Sequence, residues 1–399
     1  MSAWQSPPAQ TISASDAGRQ LWDVIVVGAG PAGSMAAREL ARMGAAVLLL
    51  DHATFPRQKV CGCCLNGAAM RILREAKIAP FPNEQTQPLT QLRVMAAGRQ
   101  ARIPLTDGIA LSREALDSHL IHAAVCAGAS FLSGARASLD ASTSEGRVVQ
   151  LHTREGAIRT RSRVLVAADG LAGRLINEEP GFAWRIARVS RIGIGTVVQD
   201  GSGRYETGTV TMACGPGGYV GLVRLEDARV NVAAALEPAK VRRCQGPGQA
   251  VGALLESAGL PPVTEWNGPR WRGTPGLTRS RSRVAGERLF AIGDAAGYVE
   301  PFTGEGIAWA LASGQAVAPL AREGARRWSE NLAREWALWH RRVLSRRQRG
   351  CRLVTLLTRS RGLRSAAMAA LSTLPELASV MARRINTPLA MTPSSVEAG

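Results

Sequence analysis

The chain has 399 residues, 46% of them apolar and 20% charged, an ordinary globular mix that excludes wholesale disorder, collagen and coiled coil. No run of about eighteen apolar residues occurs, so no helical membrane span is expected. The net charge of +18 is carried almost wholly by arginine, because only Lys59, Lys77 and Lys240 among the 49 basic residues are lysines. With three tyrosines, six phenylalanines and no nucleic-acid motif, that charge is expected on a solvated surface or against an anionic membrane, not on nucleic acid.

Residues 1–20 read as a loose polar tail without the apolar segment of a secretion signal. Seven cysteines, three of them in Cys61-Gly62-Cys63-Cys64, then fit a reducing cytoplasm without structural disulfides. Neither they nor the five histidines have metal-ligand spacing, so no metal is expected.

The first patterned segment is an apolar strand at 23–27, a glycine turn, a small-residue helix at 35–43 and a second apolar strand at 46–51. This β-α-β order predicts a parallel sheet. A short helix is expected at 67–76, a strand at 91–95 after Pro80, Pro82 and Pro88, and a helix at 112–127 capped by Ser112. A hairpin at 148–152 and 157–160 leads into a buried strand that ends in Asp169-Gly170. From about 183 to 261 short alternating strands (192–198, 208–213, 219–225, 230–234) predict a second, largely antiparallel sheet. A buried strand returns before Gly293-Asp294, a small-residue helix follows at 306–320, and the chain beyond 325 is helical in composition and basic.

Gly28-Ala29-Gly30-Pro31-Ala32-Gly33 is a G-x-G-x-x-G turn between strand and helix. Gly28 permits the tight turn, Gly30 lets a pyrophosphate approach the backbone, and Gly33 lets the helix pack on the sheet. Pro31 and Ala32 lie within that turn, and the N-terminus of the helix that follows would face the phosphates. Asp51, at the end of the second strand, is placed to hold ribose hydroxyls. A dinucleotide is expected here.

Further motifs decide which dinucleotide. Phe55-Pro56-Arg57-Gln58-Lys59-Val60-Cys61-Gly62, Leu111-Ser112-Arg113 through Asp117, Ala168-Asp169-Gly170 and Gly293-Asp294-Ala295-Ala296-Gly297 follow the fingerprint in order, and the last continues from Pro301 to Ile307. In this set the chain resembles the geranylgeranyl reductase family of FAD-dependent oxidoreductases, within the p-hydroxybenzoate hydroxylase superfamily.

The resemblance implies an α/β fold: a doubly wound FAD-binding domain, an antiparallel substrate domain and a C-terminal helical region. The expected segments are 21–80, 105–178 and 275–325 for the FAD domain, 81–104 and 179–274 for the substrate domain, and 326–399 for the basic helical tail. It implies that Asp294 receives a ribityl hydroxyl, that Arg113 contacts the FAD phosphates, and that Asp169 and Gly170 touch FAD and serve NAD(P)H as a transient reductant. Pro301, Gly304, Gly306 and Ile307 would pass beside the isoalloxazine ring, with the next helix directing its N-terminus at the N1–C2 edge. Arg57 is placed to meet an FAD phosphate, an NADPH phosphate or solvent.

Two residues are expected at the reaction itself. Cys61 stands where the family carries a cysteine near the substrate face of the flavin, although Cys63 and Cys64 depart from the expected small residues. Tyr219 matches the first position of the family's Tyr-x-Trp-x-Phe-Pro strand, while Gly221 and Val223 replace its Trp and Phe. The signature and catalytic lysine of related halogenases are missing.

The implied function is reduction of a carbon–carbon double bond in an isoprenoid or other lipid, with NAD(P)H or another electron donor. The alternatives are a monooxygenase hydroxylating a phenolic or quinone-like compound and a non-catalytic, membrane-associated flavin or lipid binder. The basic tail from Trp336 to Arg364 interleaves arginines with Leu344, Val354, Leu356 and Leu357, as a helix lying on anionic lipid would, or one packed on the protein. The expected location is cytoplasmic, with peripheral membrane contact through that tail. Substrate identity and oligomeric state are not legible.

Overall fold

Two large sheets organise the computed structural model, which describes residues 8–79, 81, 86–143, 145–199, 203, 205–260, 270–300, 302–373, 386, 387 and 389. The first sheet grows from the continuous apolar runs, which have no polar face to give to water and so need cover on both sides. Leu21–Val27 pairs in parallel with Val47–Leu50 and with Gly156–Ala167. Leu289–Ala291 and Ser130–Leu132 extend that parallel ladder at its two sides, and the hairpin of Arg136–Thr143 and Gly146–Thr153 adds antiparallel strands.

The register matters more than the strand count. Val27 lies opposite Leu50 and Ala167, and Ala167 lies opposite Ala291. Strands far apart in sequence therefore end in line, and Gly28, Asp51, Ala168 and Ile292 leave the sheet from one carboxyl edge. This is where an open parallel sheet presents ligand sites. Helices Pro31–Arg42 and Gly306–Arg326 pack on each other through small residues: a Cβ added at Gly314 would stand 2.2 Å from the Ala32 carbonyl oxygen.

The second sheet runs in the order Arg272–Gly276, Ile192–Val198, Val230–Leu236, Gly218–Arg224, Thr209–Gly215, Gln87–Ala96, Arg99–Ala110 and Cys64–Leu65. It is antiparallel except between Thr209–Gly215 and Gln87–Ala96. The strands Ile192–Val198, Thr209–Gly215, Gly218–Arg224 and Val230–Leu236 fall where the alternation places them, and the strand expected at 91–95 is Gln87–Ala96, whereas Arg272–Gly276, Arg99–Ala110 and Cys64–Leu65 add strands that the alternation does not mark. The helix expected at 67–76 is Gly67–Glu75, and Arg113–Cys126 is capped by Ser112, whose hydroxyl accepts from the Ala115 N–H at 3.0 Å.

Two expectations are corrected. The N-terminal stretch is not a loose tail throughout: Ala14–Arg19 is a helix capped by Ser13, with Ala14 and Ala17 buried. The Trp22 indole N–H donates to the Ala17 carbonyl and fixes that helix to the sheet. Residues 1–7 lie outside the described residues. The seam expected between residues 104 and 105 falls inside Arg99–Ala110, which pairs with Gln87–Ala96 along its length. A register shift between Leu89 and Gln91 lets that strand continue through Asp107 and Gly108, residues that read as breakers.

The tail is helical over Glu330–Trp339, Arg346–Leu357 and Arg361–Thr373, with a π-helical turn at His340–Ser345. Trp336 anchors it: the ring is fully buried, stacks on Trp339 and donates its N–H to the Ala291 carbonyl at 3.1 Å. Among the described residues no helix is long and apolar enough to cross a membrane.

Candidate active site

The carboxyl edge of the first sheet builds a basic, glycine-lined cradle. Helix Pro31–Arg42 starts at Gly30 without a side-chain cap, so its first N–H groups have no intrahelical acceptors. Above Gly30 two guanidinium groups converge: a Cβ placed there would meet only the Nη2 atoms of Arg57 and Arg113, each 3.6 Å away. Arg113 is fixed by a buried bidentate pair with Asp117, at 2.9 and 2.8 Å. Arg57 lies 3.3 Å from Asp51 and 3.5 Å from Asp117. Free N–H groups, a helix N-terminus and two fixed cations suit a pyrophosphate.

Asp51 does another job as well. Its carboxylate accepts from the Ala29 N–H at 2.8 Å and the Ala53 N–H at 2.9 Å, clamping the glycine turn onto the second strand. Gly33 serves packing: a Cβ there would stand 1.8 Å from the Gly28 carbonyl oxygen.

The cradle opens into a cavity lined by Gly30, Pro31 and Ala32 at one end and by the second sheet at the other. Asp294 faces it with no hydrogen-bond or ion-pair partner among the described residues, although it is half-buried and lacks any capping role. Burial raises its pKa, and Lys59 and Arg113 pull it back. Lys59 lines the same cavity, its own pKa lowered by burial and by Arg113 and Arg57. Gly304, Gly306 and Ile307 lead into helix Gly306–Arg326 beside Asp294, and nothing lies within 4 Å of a Cβ added at Gly304. Pro301 lies outside the described residues.

A flavin dinucleotide fits these residues on two counts: the space over Gly30 is bounded by cations, and a half-buried carboxylate facing the cavity lacks a partner among the described residues.

Beyond Asp294 the cavity turns apolar, walled by Leu89, Leu92, Val210, Met212, Leu222 and Phe302. Cys61 and Tyr219 both border it. Tyr219 is buried, edge-on to Phe302 at 5.0 Å, with Arg191 5.7 Å from its ring and no partner for its hydroxyl among the described residues. Burial first, then the nearby Glu300, pushes that phenol well above its ordinary pKa. The Cys61 thiol goes the other way, to about 6, chiefly through hydrogen bonding from the Cys63 side chain and against the effect of burial, with Arg113 assisting.

The structure thus brings Gly30, Pro31, Ala32, Cys61, Arg113, Gly170, Tyr219, Asp294, Gly304, Gly306 and Ile307 to one cavity. Gly28, Gly33, Asp51, Arg57, Asp169 and Gly293 stand behind it. Asp169 accepts from the Leu175 N–H at 3.0 Å and braces the turn after the strand, while the other carboxylate oxygen stays buried and unpartnered. Sequence reasoning passed over Lys59, Tyr298 and Phe302. For Lys59 a signal was present, since Arg57, Lys59 and Cys61 alternate along an extended segment and share one side.

Residues 22–201 match the FAD binding domain family. The chain is 31% identical over 345 residues to a menaquinone reductase of Mycobacterium tuberculosis, covering 78% of this chain and 79% of that protein. It is 30% identical over 328 residues to a digeranylgeranylglycerophospholipid reductase of Methanopyrus kandleri, covering 76% and 77%. Two solved structures share the fold: a geranylgeranyl bacteriochlorophyll reductase-like protein of Thermoplasma acidophilum (TM-score 0.70, 19% identity, 94% of each chain) and a p-nitrophenol 4-monooxygenase of Pseudomonas putida (TM-score 0.75, 15% identity, 92% and 96%). At 30% identity or more over at least three-quarters of both chains, the chain belongs to the geranylgeranyl reductase family of FAD-dependent oxidoreductases.

Proposed function

We propose that this enzyme saturates a carbon–carbon double bond in an isoprenoid chain, of the kind found in menaquinone and in archaeal glycerolipids. The observation that carries the reading is the change of chemistry along one cavity: cations and a lone carboxylate at the cradle, then an aliphatic wall of Leu89, Leu92, Val210, Met212 and Leu222. A polyprenyl chain has no hydrogen-bonding groups, so such a wall holds it by excluding water.

Bound FAD would supply the hydride. Arg57, Arg113 and the Gly30 turn would hold its pyrophosphate, Asp51 its ribose and Asp294 a hydroxyl of its ribityl chain. Lys59, between Asp294 and Arg113, favours negative charge at the ring end, as does the N-terminus of Gly306–Arg326. Tyr219 borders the cavity and keeps its proton at Oη well above neutral pH, and it is the group that would protonate the second carbon once substrate reaches that buried hydroxyl. Cys61, a thiolate at neutral pH, is not that acid. NAD(P)H as a transient reductant completes the reading, with Gly170 at the cavity rim.

The tail supports a peripheral membrane contact. Leu353, Leu356 and Leu363 are 66%, 52% and 50% exposed beside the exposed Arg349, Arg352 and Arg361. A lipid substrate would enter from that side of the bilayer.

The test is anaerobic: protein reconstituted with FAD and reduced by NAD(P)H is given menaquinone or a geranylgeranyl lipid. Loss of a double bond by mass spectrometry, with reoxidation of the flavin, is expected. Oxygen-dependent hydroxylation of a phenol instead would replace this reading with the monooxygenase one.

A further inference from the structure

The run Cys61-Gly62-Cys63-Cys64 is the least explained part of the cavity. All three sulfurs belong to residues lining it, and Arg113 stands beside them. Cys61 and Cys63 are drawn together. The Cys63 N–H donates to the Cys61 sulfur at 3.4 Å, an approach made possible because Cys63 takes a left-handed backbone, φ 53°, and turns the chain back over Gly62. Cys63 is 3% exposed and packs among Leu89, Ala110, Val223 and Leu225, with Cys61 and Cys64 against the same cluster. Cys64 is placed differently: it belongs to the strand Cys64–Leu65, its thiol donates to the Gly62 carbonyl at 3.1 Å, and it pairs with Ala110 in the ladder.

We infer that Cys61 and Cys63 form a redox-active dithiol that exchanges two electrons with the flavin in the same cavity. The inference rests on the FAD reading above. The Cys61 thiolate and the Cys63 thiol join as an Sγ–Sγ bond forms. The electron pair and the one proton from Cys63 pass to oxidised FAD, leaving it two-electron reduced and anionic; charge and hydrogen balance on both sides. The reverse step reopens the disulfide at the expense of reduced flavin. Disulfide and flavin couples overlap in potential, so either direction is accessible. The attacking sulfur is the one already held as thiolate, with Arg113 close enough to favour it and Cys63 as its hydrogen-bond donor. The site would accept electrons from a small dithiol or a dithiol protein as an alternative to a nicotinamide.

The experiment is an anaerobic dithionite titration of the FAD-loaded protein after mild oxidation with diamide. Four electrons per FAD are expected in the wild type, and two in Cys63→Gly, a substitution that suits the left-handed backbone. Peptide mapping of the flavin-free, diamide-treated protein should yield a Cys61–Cys63 cross-link, a readout independent of turnover. An FAD-loaded wild type that takes up only two electrons, or a cross-link that joins Cys64 instead, overturns the inference. A wild type that binds no FAD at all sinks the cofactor reading first, and the flavin-free mapping still shows whether the pair forms a disulfide.

Discussion

Arg191 and Glu300 form an ion pair of 2.7 Å in which both side chains are only 1% exposed. The pair ties the first strand of the second sheet's centre, through Thr358 at 3.1 Å, to the helical tail, and Glu300 has a second, longer contact with Arg359 at 3.4 Å. It therefore couples the start of the strand Ile192–Val198 to the segment after Gly297–Tyr298. Removing one member of such a pair leaves a buried charge and costs about 3–5 kcal/mol. The asymmetry predicts an order: Glu300→Leu leaves Arg191 with a hydroxyl and the Tyr219 ring but no counter-charge, whereas Arg191→Met leaves Glu300 with Arg359. Urea unfolding should show the larger loss in Glu300→Leu, and equal losses would remove Arg359 from the account.

Gly30 and Gly33 should separate binding from folding. Gly30 has φ −83°, and a Cβ there meets only guanidinium ends at 3.6 Å, so Gly30→Ala keeps its flavin-free melting temperature. Its methyl group takes the place of a phosphate oxygen, and FAD affinity should fall by at least tenfold in a fluorescence titration. Gly33→Ala drives a methyl into the Gly28 carbonyl and should fail to fold with or without FAD.

How much of this was readable is clear from where each residue lies. The four strand ends were legible because each apolar run stops at a glycine or aspartate, and the pattern that marks a buried strand also marks its edge. Ala14–Arg19 was missed although Ser13 and Asp16 exchange hydrogen bonds as a local cap, since its burial depends on Trp22 and the sheet. Arg191 could not be singled out: its partner is 109 residues away, and in a chain this rich in arginine no local pattern distinguishes a buried one. Lys59 was legible in principle, by alternation with Arg57 and Cys61, but not the charge that surrounds it.

Tyr219→Phe keeps the ring against Phe302 and removes only the hydroxyl, which has no partner to lose among the described residues. FAD content and stability should stay within error of the wild type. If Oη delivers the proton, turnover with a saturating isoprenoid substrate falls by about 10²–10⁴-fold while KM changes little. Unchanged kcat would reduce Tyr219 to packing.

Cys61 predicts a pH signature. Its pKa falls from 9.0 unfolded to about 6 folded, so the folded state binds fewer protons between those values. The resulting stability is present in full above about pH 9 and is lost as pH falls through about 6. Iodoacetamide should label Cys61 with a midpoint near 6, while Cys64, whose thiol burial pushes up to about 12, stays unlabelled. Cys63→Gly removes the side-chain hydrogen bond but keeps the backbone one and should move the Cys61 midpoint upward; a midpoint that stays put would assign the shift to Arg113 and the backbone N–H of residue 63.

The tail makes a prediction about lipid. Arg349 and Arg352 are exposed one helical turn from Leu353 and Leu356, so the helix Arg346–Leu357 offers charge and apolar surface on adjoining stripes. Vesicles of phosphatidylglycerol should sediment the protein and vesicles of phosphatidylcholine should not, with binding weakened by salt because the attraction acts over about a Debye length. Leu353→Ser together with Leu356→Ser leaves the charge intact but removes two side chains that a bilayer would bury. Partition into the anionic vesicles should fall on the order of a hundredfold, with bound FAD unchanged. Binding that responds to salt but not to the leucine pair would mean that the tail meets the headgroups without entering the bilayer, and the lipid substrate would have to reach the cavity by another face.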